Sequence, residues 1–409
     1  MKKSLLLGCI ITTTMCAQNP VHFRIHSHNE IQDIQKGIDY TVATTYNNIK
    51  TVVYRIRDTV QKYQARWNMQ VESNLVRGCL LNDNAYSSAT DMLQSMDSHS
   101  LIEVDPHNHL NLAPGMNYNP YNYADVAHLL DSSGLTPPRT NVGGYLYKNT
   151  DWTYPTTDDW TQWKNGLKGN TFTSYTWTPT TLWGGGTPGH VADFNAFGVW
   201  RPAGTNSVTF GNNDPSGLIN IGNGCKKWSI EDTTNVTALY NYVSSYIEWC
   251  YAQPTGTNTF YTASATMNFR GFLSVAIVDS VSKFIRSMDG LKKQNKIIWE
   301  NLSDTRATWL TVHSNANDYF VVQCTGIVLG IDQDKLNKKG FGFYPNPASD
   351  EITVLNQSGK NEIKIYDMPG NLLLSESSEK NETTVDIKRL PKGVYLIAVG
   401  SQYERLIKE

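Results

Sequence analysis

The sequence predicts an α/β protein: a (β/α) barrel-like catalytic body with a loop-rich insertion, followed by a small all-β, immunoglobulin-like sandwich. Three observations predict it. Between residues 20 and 325, short apolar runs alternate with stretches of three- and four-residue apolar spacing, as strands alternate with helices around a parallel sheet. After Trp309 no Trp occurs, and residues 341–409 break into short alternating runs separated by turn residues. No GxGxxG follows any predicted strand, which removes the usual dinucleotide argument for the alternative, a doubly wound open sheet.

Residues 1–17 read as a signal peptide, with Lys2 and Lys3 ahead of the apolar run Leu5 to Ile11 and Ala17 as the small residue at the cut. The body, 18–325, opens on a strand over Val21–Ile25. Ile38, Val42, Tyr46, Ile49, Val53, Ile56 and Val60 then mark a long amphipathic helix between Gly37 and Arg66. Trp67–Val71 is the second strand, Tyr86–Met96 a helix, Leu101–Val104 the third strand, and Ala124–Leu130 a helix closed by Gly134. Asn141–Tyr147 is the fourth strand. Further strands are expected at Gly198–Trp200, Phe260–Met267 and Ala307–Val312, with helices at Thr237–Tyr251 and Leu273–Asn295. The insertion, 148–235, loses periodicity, and six of the eleven Trp lie between Trp152 and Trp200. Loops that long in a compact enzyme are commonly functional. A linker over 326–340 leads to the tail, with strands at Glu351–Leu355, Glu362–Asp367, Asn371–Ser375, Thr383–Ile387 and Gly393–Val399.

With 40% hydrophobic and 18% charged residues among 409, the chain can build a sizeable core. A formal charge of −2 argues against a nucleic-acid partner held by counterion release. Beyond the leader no apolar run reaches transmembrane length. Cys79, Cys225, Cys250 and Cys324 remain after the leader. Their wide spacing speaks against a zinc-thiolate site. They are either four buried thiols or include one disulfide, for which Cys225 with Cys250 is the first pair to expect.

Candidate chemistry gathers after predicted strands. His26, His28 and Glu30 follow the first, Glu72 ends the second, Asp105, His107 and His109 follow the third, and His313 ends the last. In a barrel, C-terminal strand ends converge on one face, where active sites of such folds sit. Two His-x-His pairs beside carboxylates suit a divalent metal such as zinc, iron or manganese, because alternate residues of an extended segment point the same way. On this reading His26, His28, His107 and His109 are metal ligands. Glu30 or Glu72 takes a proton from metal-bound water, Asp105 joins the catalytic set, and His313 or Arg201 stabilises the oxyanion. Trp152, Trp183 and Trp200 supply stacking surfaces for sugar, with His190 and Arg201 beside them. Two alternatives stay open: a metal-independent glycosidase built on paired carboxylates, and a non-enzymatic glycan-binding surface protein.

The tail carries Tyr344-Pro345-Asn346-Pro347-Ala348-Ser349-Asp350, then Ile363-Lys364-Ile365-Tyr366-Asp367-Met368-Pro369-Gly370, then Leu390-Pro391-Lys392-Gly393-Val394-Tyr395-Leu396-Ile397, and a terminal Leu406-Ile407-Lys408. In that order these blocks resemble the C-terminal sorting domain of type IX secretion substrates of Bacteroidetes. The resemblance implies export through the inner membrane by the leader, passage across the outer membrane by the type IX machinery, and removal of the tail by a sortase-like peptidase. The destination is then the cell surface or the medium, by way of the periplasm. In the body, Glu103-Val104-Asp105-Pro106-His107-Asn108-His109, Tyr121-Asn122-Tyr123-Ala124-Asp125-Val126-Ala127 and Asn141-Val142-Gly143-Gly144-Tyr145 are similar to secreted bacterial proteins distantly related to the glycoside hydrolase/deacetylase barrel group. That group implies a metal-dependent hydrolase acting on polysaccharide, deacetylase-like. The Thr-Phe-Asp-Asp-Gly-Pro strand end of deacetylases is absent here, as is a His-xxx-His pair at a helix start.

Overall fold

The computed structural model describes residues 19–83, 92–108, 121–136, 139–144, 176–183, 195–204, 209–225, 228–230, 236–253, 259–313, 316–322, 341–356, 361–367, 371–380, 382–399 and 402–408. The predicted leader, His109, Trp152 and His190 lie outside them.

The body's strands are β1 (Val21–His28), β2 (Trp67–Val71), β3 (Ile102–Asn108), β4 (Asn141–Gly144), β5 (Thr181–Trp183), β6 (Ala196–Phe197), β7 (Val199–Trp200), β8 (Ile219–Ile221), β9 (Thr262–Asn268), β10 (Ile297–Trp299) and β11 (Phe320–Val321). Its helices are α1 (Ala43–Tyr63), α2 (Ser73–Asn82), α3 (Met92–Asp97), α4 (Tyr123–Ser132), α5 (Val236–Tyr251), α6 (Ala276–Lys293) and α7 (Leu302–His313). β9 runs along one edge of β1. β10 and then β2 share the other edge, and the sheet continues through β3, β4, β5 and β8 to β7. All of these pairings are parallel except β7 on β8. Among the described residues no ladder joins β7 or β8 back to β9; a single bridge, Ser229 to Thr266, lies in that region. The body is thus a mixed α/β unit on a mainly parallel sheet, and the pairing among the described residues does not by itself close a barrel.

Alternation along the strands decides which face does what. Val21, Phe23 and Ile25 of β1, Trp67, Met69 and Val71 of β2, Val104 of β3 and Ala263, Ala265 and Met267 of β9 join one apolar core. α1 adds Tyr46, Ile49, Val52, Val53, Ile56 and Val60, a stripe at helical spacing, and α6 adds Val281, Phe284, Ile285 and Met288. Each such large side chain contributes about 1.5–3 kcal/mol by leaving water. The in-between residues are polar and equally buried: Arg24 and His26 on β1, Asn68 and Gln70 on β2, Asp105 and His107 on β3, Asn141 on β4, Ser264 and Asn268 on β9. The sheet has one apolar face under helices and one polar face turned inward.

α7 covers that polar face at the strands' N-terminal end. The backbone N–H groups of Leu302 and Ser303 donate to Glu103 Oε2 at 2.9 and 3.4 Å, a carboxylate on a helix N-terminus. Asn141 Nδ2 donates to Ser303 Oγ at 2.9 Å, and Arg24, wholly buried, donates to Thr305 Oγ1 at 3.1 Å.

Several expectations are corrected. Ala307–Val312 is part of α7, not a strand. Its Thr and Val residues look extended in sequence, but only Leu302, Thr305 and Trp309 are buried, at three- and four-residue spacing. The helix expected from Gly37 begins at Ala43, after a 3-10 turn over Ile31–Lys36 that Gly37 ends at φ +77°. α2 and β10 were not expected, and of the helix expected over Tyr86–Met96 the described part is α3. Cys250 is a free, buried thiol, as is Cys79, so the Cys225–Cys250 pair does not form. Cys225 is disulfide-bonded.

The tail folds as two antiparallel sheets, β12 (Phe341–Tyr344), β13 (Glu351–Asn356) and β16 (Glu382–Asp386) in one, β15 (Leu372–Ser378), β14 (Asn361–Tyr366), β17 (Gly393–Val399) and β18 (Gln402–Lys408) in the other. Phe343, Ile352, Val354 and Val385 of the first meet Ile363, Ile365, Ile397 and Leu406 of the second in one core.

Candidate active site at the carboxyl ends of the strands

The polar face is organised in layers set by strand register. His26 is paired in the ladder with Asn68, and Asn68 with Glu103. Asn68 Nδ2 donates to Asp105 Oδ2 at 2.5 Å and to Glu103 Oε2 at 3.3 Å, which turns its Oδ1 toward His26 Nδ1 at 3.1 Å. An amide oxygen only accepts, so Nδ1 carries the proton and Nε2 keeps its lone pair. Burial, helped by the Arg24 charge, drives the His26 imidazolium well below the ordinary histidine range, so the ring is neutral. Its face stacks on Trp183 at 3.5 Å between ring centres. Burial and the Glu103 carboxyl push Asp105 well above the usual carboxylate range, against the Asn68 and Asn141 amides that bond it. Asp105 is therefore the floor of the site, held by two amides.

One layer toward the strand ends lie His28, Gln70 and His107. His28 is the ladder partner of Gln70, and the His28 and His107 rings are 5.0 Å apart. Asn268 Nδ2 donates to His28 Nε2 at 3.4 Å, with Glu30 Oε1 3.5 Å from the same nitrogen. Glu30 and Asp33 both accept from Arg270, at 3.3 and 3.2 Å, and Tyr40 donates to Asp33 at 2.6 Å. Glu72 follows β2 as the N-cap of α2, is fully buried, and its backbone N–H donates to Asn29 Oδ1 at 2.8 Å. Some of the buried polar atoms here have no hydrogen-bond partner among the described residues: His26 Nε2, His28 Nδ1, both amide atoms of Gln70, and Trp183 Nε1. Unpartnered buried groups cost about 1–3 kcal/mol each, and a cluster of them marks a site rather than a core.

The structure thus brings together His26, His28, Glu30, Glu72, Asp105 and His107 on the carboxyl side of β1 to β3. Trp183 joins them, buried and stacked face to face on His26 rather than open to a sugar. Three expected residues lie elsewhere. β7 runs antiparallel to its neighbour, so its end, Trp200 and Arg201, points to the opposite side of the sheet. Trp200 is fully buried, packs on Phe210 and Tyr319 and donates to Phe210 O at 2.6 Å. Arg201 donates to Gly217 O at 2.6 Å and sits over the Trp309 ring on α7. His313 closes α7, bonds Asp318 at 3.1 Å and packs on Phe260, which stacks on His22 at the start of β1. His109, Trp152 and His190 fall outside the described residues.

Sequence reasoning missed Asn68, Gln70, Asn268 and Arg270. The signal was there in β2, where Asn68, Gln70 and Glu72 alternate with Trp67, Met69 and Val71 at strand period. A metal needs a complete donor set. Among the described residues no group of three or more His, Cys, Asp or Glu is placed to hold one. The donors described here do not by themselves fit a divalent ion.

Residues 342–409 match the family model of the secretion system C-terminal sorting domain. This tail directs the chain through type IX secretion to the cell surface or the extracellular space. No helix among the described residues is long and apolar enough to cross a membrane. Curated proteins give no match. Among solved structures, the chain is similar to PorZ, a surface component of the type IX secretion system of Porphyromonas gingivalis, at 22% identity over 24% of this chain and 14% of that one, TM-score 0.17. It is similar to an endoglucanase from Alicyclobacillus acidocaldarius at 14% identity over 17% of this chain and 15% of that one, TM-score 0.15. A probable polysaccharide deacetylase from Pseudomonas aeruginosa PAO1 shares 9% identity over 72% of this chain and 92% of that one, TM-score 0.40. The chain spans only about one seventh of each of the first two.

Proposed function

We propose that the body is a carbohydrate-active hydrolase, delivered outside the cell by its sorting tail and working at the carboxyl ends of β1, β2 and β3. The observation that carries this is the gathering of unpartnered buried polar atoms at that one end of the sheet, beside two histidine rings 5.0 Å apart. A fold that leaves so many polar groups unmatched in one place keeps them for a polar ligand. His28 is the open member of the pair, its side chain 23% exposed, with Glu30 beside it and the Asn268 amide bonded to its ring. In this reading His28 and His107 move protons between the attacking water and the leaving group, and Glu72 lines the same end. The loose deacetylase resemblance names carbohydrate as the substrate class and would imply a divalent metal. Because the described donors do not complete a set, no step here runs through a metal. Removal of the tail by a sortase-like peptidase is part of the same proposal.

The test is product release. The full chain is incubated with neutral and acetylated polysaccharides, and new reducing ends and free acetate are measured. Release of either supports the reading. Binding without release moves the body to the glycan-binding class, and the absence of both binding and release across the whole set overturns the carbohydrate reading.

A further inference from the structure

Gln70 stands apart from every other buried side chain of the site. It is fully buried, and neither Oε1 nor Nε2 has a hydrogen-bond partner among the described residues. Its position is fixed from three sides. The ladder sets it beside His28. The ladder also sets it beside Asp105 on β3. Its amide reaches across β3 to Gly143 on β4: a Cβ there would lie 1.8 Å from Gln70 Oε1 and 2.7 Å from His107 Nδ1. The amide and the His107 ring therefore share the space that the missing side chain of Gly143 leaves.

An amide has two hydrogens to give and an oxygen that accepts. With both ends open, it suits a ligand group that accepts and donates at neighbouring atoms. An anion would satisfy Nε2 and be repelled by Oε1; a cation would do the reverse. The half-buried cation of this end, Arg270, is already held by Glu30 and Asp33, so no unmatched positive charge among these groups draws an anion in. We infer that Gln70 is the specificity-determining residue of the site and reads an uncharged vicinal pair of hydroxyls, one accepting from Nε2 and its neighbour donating to Oε1. This rests on the carbohydrate reading above and names the group that the site recognises.

The experiment uses the full chain, wild type and Gln70→Met, in thermal denaturation with and without neutral oligosaccharides of glucose, mannose and xylose. Methionine keeps the length and removes both polar atoms. If the amide has no protein partner, the variant without sugar melts at or above the wild-type temperature. A drop of several degrees, or failure to fold, overturns the inference, since Gln70 then serves the fold. With sugar, the wild type shifts upward and Gln70→Met loses the shift, its Kd raised about 30-fold by the loss of two hydrogen bonds. A shift kept by Gln70→Met overturns the inference and leaves the carbohydrate reading standing. No shift in the wild type with any of the sugars overturns both. Gln70→Glu, which keeps the shape and exchanges a donor for an acceptor, is expected to bind more weakly than wild type.

Discussion

Gly143→Ala separates the site from the fold in a single methyl group. The added Cβ would lie 1.8 Å from Gln70 Oε1, 2.4 Å from Gln70 Cδ and 2.7 Å from His107 Nδ1, and these nearest atoms all belong to side chains. Gln70 gives up no protein hydrogen bond by moving, so relief costs a displaced rotamer, about 0.5–1.5 kcal/mol. Crowding of the His107 ring brings the total to about 1–3 kcal/mol. At about 2–4 °C per kcal/mol for a body of this size, the melting temperature falls by a few degrees. Sugar binding falls far more, because the amide no longer faces its ligand. In a Gln70→Ala background, where the two nearest clashing atoms are gone and only His107 Nδ1 remains close, much of the stability loss disappears, and the double-mutant cycle reads that coupling directly. Thermal denaturation and a sugar titration of the four proteins make the assay. The reasoning is refuted if Gly143→Ala costs more than about 5 kcal/mol, if the cost is the same in both backgrounds, or if binding is unchanged.

Gly198→Ala should behave differently. Gly198 has φ +83°, and its Cβ would lie 1.9 Å from the backbone oxygen of Asp318, which cannot swing away. A loss of about 3 kcal/mol or more is expected, read as a lower urea midpoint at unchanged slope. Stability should fall on acidification from pH 6.5. There the unfolded chain protonates His26 while burial keeps the folded ring neutral, and His26→Gln should flatten that limb. Asp105 carries the opposite sign. Raised by burial and by Glu103, it binds its proton more tightly when folded, so its contribution declines as pH rises above 3.8, and Asp105→Asn should remove the decline. Arg201→Gln and His313→Gln should leave turnover at wild-type values, since both side chains lie at the amino end of the sheet; a turnover loss without a stability loss would place the site elsewhere.

The tail was legible because its signals are local. In the sequence, the turn-forming residues Gly359, Pro369-Gly370 and Pro391-Lys392-Gly393 separate runs whose alternation needs no partner to be read, and five of the seven strands among the described residues were expected at nearly their observed bounds. In the body, β1, β2 and β3 showed through their apolar runs, and α1 through its stripe. What escaped depends on the partner strand or on context. The direction of β7 is set by its pairing with β8 and reversed the assignment of Trp200 and Arg201. α7 buries too few apolar side chains to declare its period, and His313 was misplaced with it. The histidines of the site were visible as His-x-His pairs. The amides that orient them were not, because Asn68 and Gln70 look like ordinary polar residues until the register sets them against His26 and His28.

The most direct test of the account is turnover by His107→Gln beside wild type, with products identified by mass spectrometry on the polysaccharides the wild type attacks. The account predicts a rate lower by about 100-fold or more, the scale of one lost proton-transfer group, at an unchanged melting temperature. A His107→Gln chain that works at the wild-type rate would contradict it.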